Sequence, residues 1–215
     1  IKKVEINKNN NNIKIIIDEI NHQKKSELIF NEIHQRSKTI NKILEFGCNY
    51  GVNLNKFLDK NITEVVGVDL NNVVKSLENN YKNYKGIVGD ELYLKNFDNG
   101  YFDVVFTCSV LDHFPEEKKV ISTIKELKRI SKELYLFKPY IDQVVGDVSY
   151  YSRKEISKKY KLNRKFENEH MKFGKNSFLW NYDNYLKKLD FNYQKKTFPL
   201  HYSGMGPFYN IYYVK

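Results

Sequence analysis

From residue 42 to residue 137, strand-sized apolar runs alternate with helix-period segments, and that alternation admits few architectures. The runs are Lys42 to Phe46, Glu64 to Asp69, Tyr84 to Val88, Asp103 to Thr107 and Leu134 to Phe137. Helix-like segments lie between them at Asn53 to Leu58, Val73 to Tyr81 and Pro115 to Ser131. In the last of these, Val120, Ile121, Ile124, Leu127 and Ile130 share one face, and a proline opens the first turn. Strands separated by helices predict an α/β fold with a doubly wound, mostly parallel sheet covered on both faces.

The flanks read differently. Residues 1 to 12 are polar and end in a turn, Ile13 to Ile17 reads as a strand or the first turn of a helix, and residues 24 to 40 are helix-like, with Leu28, Ile29, Ile33 and Ile40 at helical spacing. Residues 141 to 176 are charged and aromatic without clear periodicity, as expected of an insertion after the fifth strand. Trp180 to Leu189 then predicts a helix, and Phe191 to Phe198 and Phe208 to Val214 predict two more strands, making seven.

Composition sets outer limits. The 215 residues are enough for one domain with a sizeable core, and no apolar run approaches the ~20 residues of a membrane helix. Cys48 and Cys108 lack metal-site spacing and imply no disulfide framework, which suits a cytoplasmic setting; no leader-like segment is visible, although the chain begins at Ile1. The net charge of +10 invites a nucleic-acid reading, but Lys greatly outnumbers Arg and the basic residues are spread along the whole chain. A lysine-rich solvated surface is the simpler account.

The chemistry concentrates where the first strand ends. Ile43-Leu44-Glu45-Phe46 runs into Gly47-Cys48-Asn49-Tyr50-Gly51 and then a helix, a strand–turn–helix that brings backbone N–H groups close to a ligand. A nicotinamide site would read Gly-x-Gly-x-x-Gly, whereas here Asn49 stands at a usual glycine position. Asn tolerates left-handed backbone, so the turn is expected to survive. Asp69 follows Gly47 by 22 residues and ends the second strand, where an acidic side chain can receive both hydroxyls of a ribose. Asp after a strand is also a common helix N-cap, and that reading stays open.

These residues resemble, in order and spacing, the class I (Rossmann-like) S-adenosylmethionine-dependent methyltransferases, of the small bacterial type 11/12 kind. Glu45-x-Gly47-Cys48-Asn49-x-Gly51 is similar to the family's first motif and Asp69 to the end of its second. Gly89-Asp90-Glu91 looks like the motif whose Asp meets the adenine amino group. Tyr101 to Phe106 resembles the fourth strand, and Val110-Leu111-Asp112-His113-Phe114-Pro115 the segment that follows it and lines the pocket. Asp190, before Phe191, stands where the family has Gly. The likeness covers residues 40 to 140 well and 180 to 215 loosely.

The resemblance implies a single methyltransferase domain whose last strand is antiparallel. Its parts would be an N-terminal helical cap (1–41), a cofactor-binding core (42–140), a substrate lid (141–179) and a C-terminal helix and strand pair (180–215). It implies S-adenosyl-L-methionine as cofactor, S-adenosyl-L-homocysteine as product, no metal, and cofactor contacts from Glu45, Gly47, Cys48, Asn49, Gly51, Asp69, Leu70, Asp90, Glu91 and Ser109. Arg36, just before the first strand, would meet the methionine carboxylate or lie at the surface.

An oxygen acceptor of high pKa needs a general base, for which His113 is the first candidate and His170 and His201 weaker ones. A histidine supporting the following helix is the alternative reading of His113. The leading acceptor is a small polar molecule, a hydroxyl of a sugar or related metabolite as in surface-polysaccharide modification, with no membrane partner. An RNA methyltransferase is the alternative, although Thr107-Cys108-Ser109-Val110 replaces the Asn/Asp-Pro-Pro-aromatic run usual for base-amino transfer. A non-catalytic adenosyl-ligand-binding protein is the third reading.

Overall fold

The computed structural model describes residues 10–58, 60–114, 116–139, 150–152, 178–199 and 208–215. Its central element is a seven-stranded sheet in the order β3-β2-β1-β4-β5-β9-β8. Strands β1 (Lys42–Phe46), β2 (Glu64–Asp69), β3 (Tyr84–Val88), β4 (Phe102–Cys108) and β5 (Ser131–Pro139) are mutually parallel. The hairpin of β8 (Tyr193–Pro199) and β9 (Phe208–Val214) closes the edge, with β9 antiparallel to both β5 and β8. The doubly wound α/β sheet with its antiparallel last strand is therefore present.

The central strands are apolar because both their faces are covered. On one face, α1 (Asn10–Arg36) lays Ile29 and Ile33 against Ile43, Val65, Val104 and Phe106, joined by Phe57 and Leu58 of α2 (Asn55–Leu58) and by Val74. On the other, α3 (Glu117–Arg129) buries Val120, Ile124 and Leu127 against Leu44, Val66, Val105 and Leu134. Lys128 and Arg129 occupy the last turn of α3, where positive charge complements the helix dipole. The Arg129 guanidinium also donates to the carbonyls of Leu94 (3.1 Å) and Phe97 (2.9 Å), tying α3 to the segment after β3.

Several segments depart from expectation. The segment Ile13 to Ile17 is helical, and α1 begins as early as Asn10. The helix expected over Val73 to Tyr81 is instead a 3-10 helix at Asn72–Leu77, opened by Asn71, whose side chain accepts from the Val73 N–H (3.2 Å). It lies too close to the sheet for an α-helix: the Val74 carbonyl sits directly over Gly86. A further 3-10 helix, Glu91–Asn96, follows β3. Trp180 belongs to a short strand, β7 (Phe178–Trp180), paired antiparallel with β6 (Tyr150–Ser152). The helix expected from Trp180 starts only at Tyr182 (α4, Tyr182–Lys188), because Asn181 caps it by accepting from the Asn184 N–H at 3.1 Å. Asp190 takes φ of 54°, the left-handed backbone its glycine-like position requires. Apart from β6 and β7, the segment read as a lid lies outside the described residues.

Candidate functional site

The carboxyl ends of β1, β2 and β4 meet where the strand order reverses, the place where open α/β sheets bind ligands. The turn after β1 is built from alternating left-handed residues: Gly47 (φ 76°), Asn49 (φ 50°) and Gly51 (φ 73°). Gly47 is required on two counts, since the Val110 side chain also rests against the space a β-carbon would fill. That contact joins the turn to the segment following β4.

Asp69 organises the turn. Its Oδ2 accepts from the Asn49 N–H (2.7 Å) and its Oδ1 from the Asn71 N–H (2.9 Å). A carboxylate offers about four lone-pair directions, so each oxygen retains capacity for a hydroxyl. Asp90, after β3, accepts from the Leu92 N–H (3.0 Å) as an N-cap, whereas Glu91 is ion-paired with Lys119 of α3 (2.8 Å). Among the described residues, the exposed large apolar side chains are Tyr50, Val52, Leu70, Val88 and Leu92. They lie on the turn after β1, at the ends of β2 and β3, and in the 3-10 helix after β3. Exposed apolar groups around hydrogen-bonding carboxylates are what a flat, partly polar ligand such as a nucleoside needs.

Glu45 lies beneath the turn, buried, in register between Phe106 of β4 and Gly67 of β2. Its Oε1 accepts from Asn53 Nδ2 (2.6 Å), and Asn53 Oδ1 accepts from Ser26 of α1 (2.9 Å). Its Oε2 is buried without a hydrogen-bond partner among the described residues. Burial pushes its pKa up to about 8, against the pull of Asn53 and Lys25 and with a further push from Asp69. Burial likewise raises the Cys48 thiol, helped by the Glu45 and Asp69 carboxylates, which keeps it protonated and unsuited to nucleophilic work.

The remaining candidates are dispersed. Ser109 follows β4 directly with φ of 57°, its N–H donating to the Phe137 carbonyl (3.1 Å). His113 is exposed at the end of a 3-10 turn, Leu111–His113, three residues past the Val110 contact; neighbouring Asp112 is fully buried. Beside this turn, Trp180 Nε1 donates to the Phe114 carbonyl (3.2 Å), and the buried Lys138 ammonium at the end of β5 donates to the Trp180 carbonyl. Arg36 is not gathered into the turn: its guanidinium binds Gln194 (2.8 Å) and Glu32 and lies over the Tyr213 ring. His170 and His201 lie outside the described residues. No cluster of His, Cys, Asp and Glu able to hold a metal occurs among the described residues.

Sequence reasoning missed Asn53, Val110 as a turn support, and the apolar rim beyond Leu70.

The architecture is that of the class I methyltransferase fold. The family model of a methyltransferase domain matches residues 44–134, the stretch that holds the turn, Asp69, Asp90 and β4. Among solved structures, the PH0226 protein of Pyrococcus horikoshii OT3 is 18% identical and aligns over 90% of each chain with a TM-score of 0.63. Magnesium protoporphyrin IX methyltransferase of Synechocystis PCC 6803, with bound S-adenosylhomocysteine, is 14% identical over 99% of this chain and 89% of its own, with a TM-score of 0.62. The 1,6-didemethyltoxoflavin-N1-methyltransferase of Burkholderia thailandensis is 12% identical over 95% and 81%, with a TM-score of 0.61. At these identities the likenesses establish the fold. No curated protein sequence matches this chain. Residues 44–134 are thus similar to the methyltransferase domain family, and the chain shares the fold of S-adenosylmethionine-dependent methyltransferases.

Proposed function

We propose that this enzyme methylates a hydroxyl of a small polar acceptor, such as a sugar or related metabolite, with His113 as general base. The observation that carries this reading is the placement of His113. It is an exposed imidazole just past a parallel strand's carboxyl end, in a segment braced against the cofactor turn by the Val110–Gly47 contact. The other described histidine with a defined environment, His34, stacks on Phe30 within α1. A small acceptor is also what the Burkholderia neighbour holds in its crystal structure, 1,6-didemethyltoxoflavin.

The residues fit the adenosyl group. Asp69 would receive the ribose hydroxyls on its spare lone pairs, Leu70 and Leu92 would flank the adenine, and Asp90 would meet the adenine edge. Gly47, Cys48, Asn49 and Gly51 would offer backbone, and Ser109 would close the side toward β4. On releasing the proton that burial holds on it, Glu45 would offer Oε2 as an acceptor to a donating or cationic group reaching below the turn. When bound, the cofactor supplies an electrophilic methyl on a sulfonium. The protein's part is to align the acceptor oxygen with the S–CH3 bond, to keep water out, and to take the hydroxyl proton on His113 as the bond forms.

The test is tritiated-methyl transfer to a panel of sugars, nucleotide sugars, phenols, amines and total RNA. Incorporation into a hydroxyl compound is expected. His113→Ala should lower kcat by about 10²-fold or more while leaving the KM for S-adenosylmethionine unchanged. Incorporation only into RNA, or an unchanged kcat in His113→Ala, refutes the reading.

A further inference from the structure

Gly67 of β2 and Gly86 of β3 are direct cross-strand partners. Neither has the left-handed backbone that demands glycine, so their requirement is one of space. A β-carbon on Gly86 would meet the carbonyl of Val74, whose carbonyl carbon would be 2.7 Å away. A β-carbon on Gly67 would lie 2.5 Å from the Tyr84 hydroxyl and 2.6 Å from Cys48 Sγ. Together the two glycines cut a trench in the sheet surface, and the 3-10 segment Asn72–Leu77 lies in it on bare backbone. The N–H of buried Gly86 donates to Glu78, just beyond that segment (2.9 Å).

Tyr84 fills the trench floor. It stands two residues before Gly86 on the same face, with 6% of its surface exposed. Its hydroxyl donates to the Val74 carbonyl (2.7 Å) and crowds, with Cys48 Sγ, the space a β-carbon on Gly67 would fill. One hydroxyl thus packs beside Cys48 of the turn after β1 and bonds Val74 of the segment after β2. Leu77 completes the joint from above, lying where a β-carbon on Gly51 would be 2.5 Å from its Cδ1. Asp69 sits between these two segments and holds one N–H from each, Asn49 and Asn71.

We propose that Tyr84 is a positioning residue for the adenosyl cofactor. Its hydroxyl fixes the height of the Asn72–Leu77 segment relative to the Gly47–Gly51 turn, and so the orientation in which Asp69 receives the ribose. Tyr84 acts through Cys48 and Val74 and touches no ligand. The inference rests on the cofactor site given above.

The test is Tyr84→Phe, which keeps the ring and deletes the hydrogen bond to Val74. Isothermal titration with S-adenosylhomocysteine should show Kd raised about three- to tenfold, the equivalent of one ordinary hydrogen bond. The KM for S-adenosylmethionine should rise by the same factor, with kcat at saturation unchanged. Tyr135→Phe is the control: it deletes another buried hydroxyl on this face, bonded to Ser37 (2.9 Å), and should lower Tm without moving the Kd. Gly67→Ala, which displaces the Tyr84 hydroxyl instead of deleting it, should weaken S-adenosylhomocysteine in the same direction and decides the matter if Tyr84→Phe fails to fold. Unchanged affinity in Tyr84→Phe, or equal weakening in Tyr135→Phe, overturns the positioning role. Absence of binding by the wild type would instead overturn the cofactor site itself.

Discussion

Glu45→Gln should make the ligand-free enzyme more stable, and only above about pH 5. An exposed glutamate titrates near 4.5, whereas burial pushes Glu45 up to about 8. Between those values the native protein holds a proton that the unfolded chain releases, so Glu45 destabilises the fold increasingly as pH rises through that window. At neutral pH the gap corresponds to a cost of about 3 kcal/mol. Glutamine keeps the acceptor for Asn53 Nδ2 and never ionises. Its amide nitrogen at the Oε2 position lacks an acceptor, but so does the hydroxyl of a protonated glutamic acid, and the two penalties largely cancel. Thermal unfolding near pH 5, 6.5 and 8 should show the variant ahead by several degrees at the upper end, at about 2–4 °C per kcal/mol for a chain of this size. The advantage should vanish near pH 5, and the variant should bind S-adenosylmethionine more weakly throughout. A stability difference independent of pH, or a wild type that gains on the variant as pH rises, refutes the reasoning.

Other substitutions probe neighbouring parts of the account. Gly67→Ala should lower stability by about 1–3 kcal/mol through overpacking against Tyr84 and Cys48, and by less in a Tyr84→Phe background, a non-additivity that a double-mutant cycle in urea would read. Asp103→Asn tests the base of β1 and β4. Burial raises the Asp103 pKa, but Lys132 (2.7 Å) and the N–H groups of Asn41 (2.8 Å) and Lys42 (3.0 Å) outweigh it and hold the carboxyl below 3.8. Its contribution is therefore present above that value and lost as pH falls below it. The variant should be about 1–3 kcal/mol less stable at neutral pH, with the difference closing below about pH 4 in acid titrations followed by circular dichroism.

The sequence exposes most where a strand is buried on both faces. Strands β1, β2 and β3 read correctly to the residue; in β1 and β2 the near-continuous apolar runs follow from double coverage, whereas edge strand β3 exposes Lys85 and Val88. The turn was equally legible: Asn49 adopts the left-handed backbone its residue type tolerates, between two glycines that do the same. The position of Asp69 at the end of β2 is legible in the sequence, although its dual hold on Asn49 and Asn71 is not. What stayed hidden depends on register between distant segments. Gly67 and Gly86 look like unrelated strand glycines until pairing sets them side by side, and only then does a 3-10 segment replace the expected helix over Tyr84. The chain of bonds from Glu45 through Asn53 to Ser26 crosses from β1 to α1 and has no periodic signature. Trp180 misled for a local reason, since its apolar bulk suits a helix start that Asn181 delays.

The central claim is an adenosyl site organised by Asp69 above the Gly47–Gly51 turn. Isothermal titration of S-adenosylhomocysteine into the wild type and Asp69→Ala tests it most directly. The account predicts one site per chain in the wild type and at least about tenfold weaker binding in the variant, which loses both ribose hydrogen bonds and the tether to Asn49. Absence of binding by the wild type, or equal affinity in the two proteins, would contradict it.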